Sequence, residues 1–287
     1  MKFLRKKKFK NTISVNLIMK YGISIVNTNK LDPKLVIEYA IAADEAGWDG
    51  VFLSDCFSEG CYTDPWILLA GIATRTKTIK LGTWVTPLAR RQPWQVALDL
   101  ATLDHLSDGR VIFGAGLGVP EDFTWFGLPS DGKERAEKLD EALDIIQGLW
   151  EGNVFSYAGK HFTINEAKLP ITPLQKPRIP IWLGAWWPNK KPFDRGAKYD
   201  GMMPYWNSFP ELLTENVLRE MTTYYYERAN SFNDILLPIS GNMTEIPAEY
   251  TNLCDELGIS WLLSYGDLRK EDKITYDLDK IRAGPPK

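Results

Sequence analysis

A chain of 287 residues, 44% hydrophobic and with a formal net charge of −3, carries enough apolar material for one large domain or two small ones. The near-neutral balance excludes nucleic acid as the main partner, because binding phosphates needs a basic surface, and no apolar run approaches the roughly 20 residues that cross a bilayer. Three cysteines, Cys56, Cys61 and Cys254, with no C-x-x-C spacing and only two histidines, exclude a disulfide framework and a structural metal site, and so point to a reducing, cytoplasmic setting.

Residues 1–18 read as a basic tail with Lys2, Arg5, Lys6, Lys7, Lys8 and Lys10. A signal peptide needs an apolar stretch after such charges, and "NTISVNLIM" is short and broken by polar residues. Met19, where the regular pattern begins, is an alternative candidate for the natural start, which the sequence leaves open. From 19 to 287 the chain reads as a single domain of alternating strands and helices. "YGISIV" is an apolar, β-branched strand. "DPKLVIEYAIAADEAG" is an amphipathic helix with Asp32 as N-cap, Pro33 at the first position and Gly47 as the stop. "DGVFLSD" is the second strand, and "DPWILLAGIATRT" repeats the Asp-Pro start at Asp64 and Pro65. "TIKLGTWVTP" is the third strand, followed by the helix "PWQVALDLATLDHLSDG". "RVIFGAGLG" is the fourth strand. Pro120, Gly127, Pro129 and Gly132 then predict no helix before about Lys133, where "KERAEKLDEALDIIQGLWEG" begins.

An irregular insertion, about residues 152–178, separates this fourth helix from the fifth strand and reads as extended or hairpin. "IPIWLGA", "DGMMPYW", "DILLPIS" and "ISWLLSYG" are the remaining strands. "NKKPFDRGAKY", "PELLTENVLREMTTYYYERAN", "IPAEYTNLCDELG" and a short segment near 274–283 are the remaining helices.

The glycines of "GRVIFGAGLG" suggest a phosphate-cradling Rossmann turn, but that fingerprint needs a helix opening directly on the third glycine. None opens there. Eight strand–helix units, with strands that are continuous apolar runs, favour instead a (β/α)8 TIM barrel with an insertion between helix 4 and strand 5. "GAGLG" then lies at the C-terminal end of barrel strand 4, where such barrels build active sites.

At this point the sequence resembles the luciferase-like flavin and deazaflavin oxidoreductases. The resemblance covers about residues 21–265. It is carried by "LGTWVTPLARRQPWQVALDLATLDHLSDGRVIFGAGLG", "GLPSDGKERAEKLDEALDIIQGLWEG" and "PRIPIWLGAWWPNKKPFDRGAKYDGMMP". It implies a reduced flavin-type cofactor, FMN or the deazaflavin F-420, at the C-terminal mouth. It also implies a non-proline cis peptide at Trp84–Val85 against the ring, and cofactor-phosphate contacts from the backbone at Gly184, Ala185 and Trp186, with Asn189 at the following helix start. Gly116 and Gly118 are expected to let the ring or a phosphate approach the backbone. Luciferases carry a phosphate-binding arginine where Leu117 stands, which tilts the expectation slightly from FMN to deazaflavin.

Many relatives have Asp-His at the end of strand 2, where this chain has Asp55 and Cys56. Asp55, Cys56 and Glu121 are the candidate catalytic residues, each with a plain structural alternative: a hydrogen-bonding carboxylate, an inert thiol and a surface acid. Asp122 is a further acid candidate. Aromatic residues at the mouth (Phe57, Tyr62, Trp66, Trp84, Trp125, Trp186, Tyr205 and Trp206) favour a planar cofactor and an apolar substrate. The resemblance implies a homodimer, and Trp66, Leu69, Trp94 and Leu98 are the apolar residues expected to be exposed for it. The readings are a hydride-transfer enzyme with deazaflavin, a monooxygenase with FMN and oxygen, or a non-catalytic flavin-binding protein, all acting on or with a small molecule.

Overall fold

A computed structural model of the chain describes residues 18–25, 32–58, 63–229, 231, 233–241, 243–265 and 278–286. The first half runs β1 (Lys20–Ile25), α1 (Pro33–Ala46), β2 (Gly50–Leu53), α2 (Pro65–Ala73), β3 (Lys80–Thr83), β4 (Thr86–Pro87), α3 (Pro93–Leu106), β5 (Val111–Gly116), α4 (Glu121–Thr124) and α5 (Gly132–Trp150). A hairpin, β6 (Phe155–Ala158) and β7 (Thr163–Ala167), follows. The second half runs β8 (Ile181–Trp187), α6 (Lys190–Gly196), β9 (Gly201–Trp206), α7 (Glu215–Tyr226), β10 (Asp234–Ser240), α8 (Ala248–Glu256), β11 (Trp261–Tyr265) and α9 (Leu278–Arg282).

Eight parallel strands close on themselves in the order β1-β2-β3-β5-β8-β9-β10-β11, with β11 pairing back to β1. This is the TIM barrel the alternation predicts. Every strand points its C-terminal end to one rim, so eight loops converge there. Phe52, Ile112, Trp182, Met203, Leu236, Trp261 and Leu263 fill the interior. Full burial of such side chains stabilises the fold by about 1.5–3 kcal/mol each. A larger apolar layer lies between strands and helices.

Local chemistry sets the helix starts. The Asp32 carboxylate accepts from Lys34 N at 2.8 Å, and that of Asp64 accepts from Trp66 N at 2.8 Å and Ile67 N at 3.2 Å. Both capture N–H groups that have no partner inside the helix. Gly47 closes α1 with φ 84°, a left-handed conformation that glycine adopts without a Cβ clash. Asp44 ties α1 to the start of β3: its carboxylate accepts from Lys77 N (2.7 Å), Thr78 N (2.9 Å), Thr78 Oγ1 (2.7 Å) and Ile79 N (2.8 Å). Glu141 of α5 does the same for the hairpin, taking the N–H groups of Lys160, His161 and Phe162.

Several boundaries differ from the sequence pattern. The third strand is split, because the chain bulges out at Trp84 and Val85 and resumes as β4. A one-turn helix, α4, precedes Lys133; Pro120 is compatible with a helix start, and Gly127 at φ 68° follows the turn. α7 begins at Glu215 rather than near Pro210, whose peptide bond with Phe209 is cis. Leu69, expected to be exposed, is fully buried, whereas its neighbour Ile67 is 75% exposed. α2 is apolar nearly all round, so its pattern does not reveal the outward face. The basic tail up to residue 17, Cys61 and Tyr62 lie outside the described residues. No described helix is long and apolar enough to cross a membrane.

Candidate active site

A cavity of about 270 Å³ opens at the C-terminal rim. Its lining comes from successive strand ends: Ser54, Asp55 and Cys56 after β2; Trp84, Val85 and Pro87 around the bulge; Gly116 to Val119 after β5; and Gly184 to Trp186 at the end of β8. Met203 and Tyr205 of β9, Tyr265 of β11, and Asn189 and Pro192 by α6 complete it. Of the predicted residues, Asp55, Cys56, Trp84, Val85, Gly116, Gly118, Gly184, Ala185 and Trp186 are thus brought to one cavity.

The glycines of "GAGLG" make room for the neighbouring strand. A Cβ added at Gly114 would lie 1.8 Å from the Thr83 carbonyl oxygen, one at Gly116 2.4 Å from Val85 Cγ2, and one at Gly118 2.7 Å from Pro87 Cβ. Alternate residues of β5 and its extension therefore face alternate residues of the bulged strand. Side chains in a strand repeat every second residue, so one irregular neighbour imposes a glycine at every second position. Gly118 also has φ 70°. From the other side, a Cβ at Gly184 would lie 3.0 Å from Val85 Cγ2. Val85 is thus seated between β5 and β8. The Trp84–Val85 peptide is cis, as the resemblance implies.

The loop after β2 is fixed from two directions. Asp55 is 2% exposed, and both its oxygens are engaged: Arg90 binds one, and Arg91 binds the other through Nη2 at 2.8 Å and Nε at 3.2 Å. Arg90 Nη2 also donates to the Asp55 carbonyl at 2.9 Å, and its guanidinium carbon lies 4.1 Å from the centre of the Phe57 ring. From the far side, fully buried Asp122 accepts from Ser58 N at 2.7 Å and Phe57 N at 3.1 Å, with the Cys56 Sγ 3.7 Å away. Glu121, one residue earlier on α4, is exposed and does not line the cavity. Sequence alone does not separate these neighbouring acids; the direction in which a single helical turn projects them does.

One wall is aromatic. Trp84 lies edge-on to Tyr265 at 4.9 Å, Tyr205 lies 4.6 Å from Trp186, and Phe209 backs both tyrosines at 4.8 and 5.6 Å. The Trp186 indole N–H donates to the side-chain oxygen of Asn207. Trp66 packs instead on Phe113 behind the strand, and Trp125, 61% exposed, is not part of the lining. Sequence reasoning did not single out Met203 or Tyr265 for the site. Their signal was position alone, at the C-terminal ends of strands. His105 lies at the end of α3 with Nε2 2.9 Å from the Thr172 carbonyl oxygen, away from this rim. Among the described residues no group of three or more His, Cys, Asp or Glu is arranged to hold a metal.

The fold and the cavity together define a (β/α)8 barrel with a largely apolar cavity at its C-terminal rim. The chain belongs to the luciferase-like monooxygenase family, whose model matches residues 19–242. It is 31% identical over 201 residues to an F420-dependent glucose-6-phosphate dehydrogenase of Microbacterium testaceum, covering 67% of this chain and 58% of that protein. It is 36% identical over 157 residues to an F420-dependent hydroxymycolic acid dehydrogenase of Mycobacterium tuberculosis, covering 52% of this chain and 43% of that one. The chain therefore spans under three fifths of the length of these relatives. A solved F420-dependent secondary alcohol dehydrogenase superposes with a TM-score of 0.75 at 17% identity, covering 92% and 96% of the two chains. An FMN-bound Baeyer–Villiger monooxygenase component from Pseudomonas putida superposes at 0.71 with 14% identity, covering 92% and 96%. These two likenesses are of fold.

Proposed function

We propose that this chain is an oxidoreductase that holds a reduced flavin-type cofactor in the rim cavity, the deazaflavin F420 ahead of FMN, and acts on a small, largely apolar organic substrate. The observation that carries the reading is the cavity floor: Val85, seated on Gly116 and Gly184, beneath the aromatic wall of Trp84, Tyr205, Trp186 and Tyr265. A flat apolar slot of this kind fits a planar tricyclic ring. Relatives at 31% and 36% identity that are named for F420 support the deazaflavin over FMN.

When bound, such a cofactor supplies the redox centre for hydride transfer, or for oxygen chemistry if it is FMN. The chain's own part is to bind, orient and exclude water. Trp84, Val85, Gly116, Gly184 and Ala185 would hold the ring. Gly118 and Trp186, with Asn189, would hold its side chain and phosphate. Tyr205 and Tyr265 shield the slot from solvent. Ser54 and Cys56 offer the protic groups after β2. Asp55 acts by fixing that loop, because both its oxygens are already bound by arginines. We propose in addition that two copies pair through α2 and α3, where Ile67 and Trp94 are 75% and 42% exposed.

Titration of purified protein with F420 and with FMN, followed by absorbance, tests the proposal. Tighter F420 binding, and reduction of bound F420 by members of a panel of secondary alcohols, are expected. FMN binding with oxygen-dependent turnover would reverse the cofactor assignment. Binding without any turnover would make the protein a flavin carrier. Failure to bind either would overturn the reading.

A further inference from the structure

We infer that Asp122 is a positioning residue for the cavity wall, one that holds the Cys56 thiol protonated with its sulfur against the cavity. Asp122 is fully buried on α4, and its carboxylate spans the turn after β2. Two of its contacts, from Phe57 N and Ser58 N, fix the backbone. The third, Cys56 Sγ to Oδ1 at 3.7 Å, is that of a thiol donating to a carboxylate. Ser58 Oγ also lies 3.5 Å from the sulfur. Cys56 lines the cavity, so this arrangement sets the chemistry of the wall.

Among the described residues, the charged groups around the turn include Asp55 beside it, Arg90 and Arg91 reaching in from after β4, and Asp122 from α4. Both guanidinium groups are engaged by Asp55. Asp122, by contrast, brings its carboxylate oxygen to 3.7 Å from the sulfur. An adjacent carboxylate that accepts the thiol hydrogen favours the neutral form and opposes a second negative charge. A neutral thiol is a poor nucleophile. The wall is then soft and apolar, and it does not attack an electrophilic ring or carbonyl beside it. The inference does not rest on which cofactor binds.

The test is the pH dependence of Cys56 alkylation by iodoacetamide in native protein, read by mass spectrometry. A Cys61→Ser background leaves Cys56 and the buried Cys254 as the remaining thiols. Wild-type reactivity is expected to reach half its maximum above about pH 8.5, the ordinary thiol value. Asp122→Asn is expected to move that midpoint down by about one unit, roughly tenfold more thiolate at pH 7.5. A change in access alone would scale the rate at every pH and leave the midpoint in place. A wild-type midpoint at or below 8.5 overturns the inference, as does an unchanged midpoint in folded Asp122→Asn. Should the variant not fold, the wild-type profile decides by itself.

Discussion

Gly116 and Val85 occupy a single space: a Cβ on the first would stand 2.4 Å from Cγ2 of the second. The same valine presses on Gly184 across the cavity floor. Gly116→Ala is therefore expected to displace Val85 and to destabilise the protein by about 1–3 kcal/mol, the usual cost of overpacking. It is also expected to weaken cofactor binding. In the double variant Gly116→Ala/Val85→Ala the loss should be smaller than the sum of the two singles. Thermal unfolding of the four proteins measures that coupling, and strict additivity would show that the contact is not the cause.

This relationship explains why part of the site was legible in the sequence and part was not. The Asp32 and Asp64 caps depend on residues two or three apart, so their signal is local. The glycines at 114, 116 and 118 were equally visible, but their cause is a bulge about 30 residues away. The space a Cβ would take at each is occupied by the Thr83 carbonyl, Val85 and Pro87 in turn. The resemblance located the cis bond; periodicity alone predicted an unbroken strand. Asp122 was visible only as an acid beside Glu121, and Tyr265 only as the last apolar residue of a strand.

Asp55→Asn separates a fixing role from a proton-transfer role. Asp55 and the Arg90 side chain are 2% and 6% exposed, so removing the charge leaves the buried Arg90 guanidinium without its carboxylate, whereas Arg91 keeps Asp64 at 3.8 Å. A stability loss of about 3–5 kcal/mol is expected in chemical denaturation. A variant of wild-type stability with abolished turnover would assign Asp55 to the chemistry instead.

Asp44 gives a pH-dependent test. Partial burial pushes its carboxyl up, but hydrogen bonds from the Thr78 side chain and the backbone of Lys77, Thr78 and Ile79 outweigh this and hold it below the ordinary range. A depressed carboxyl stabilises the fold above its unfolded value, about 3.9, and loses that contribution as the pH falls through its folded value. Asp44→Ala should cost about 2 kcal/mol at pH 7, in line with hydrogen bonds to a charged group. The gap between variant and wild type should narrow below about pH 4. Unfolding curves at pH 7, 5 and 3 check the trend; a constant gap would contradict it.

The proposed pairing through α2 and α3 is tested by Ile67→Asp. Light scattering at micromolar concentration is expected to give a dimer for the wild type and a monomer for the variant, with folding intact because the side chain is 75% exposed. A monomeric wild type would remove the proposal.

The pairing of β1 with β11 has a consequence for biosynthesis. Lys20 to Ser24 lie in register with Trp261 to Tyr265, so the first barrel strand waits for a partner about 240 residues later in the chain. Until that partner leaves the ribosome, β1 and β10 each present an unpaired edge, and exposed edges invite association with other chains. Contacts of such long sequence separation also slow folding. A nascent chain halted before Trp261 would hold an open, adhesive sheet, and the protein's dependence on chaperones should be concentrated in that interval of synthesis.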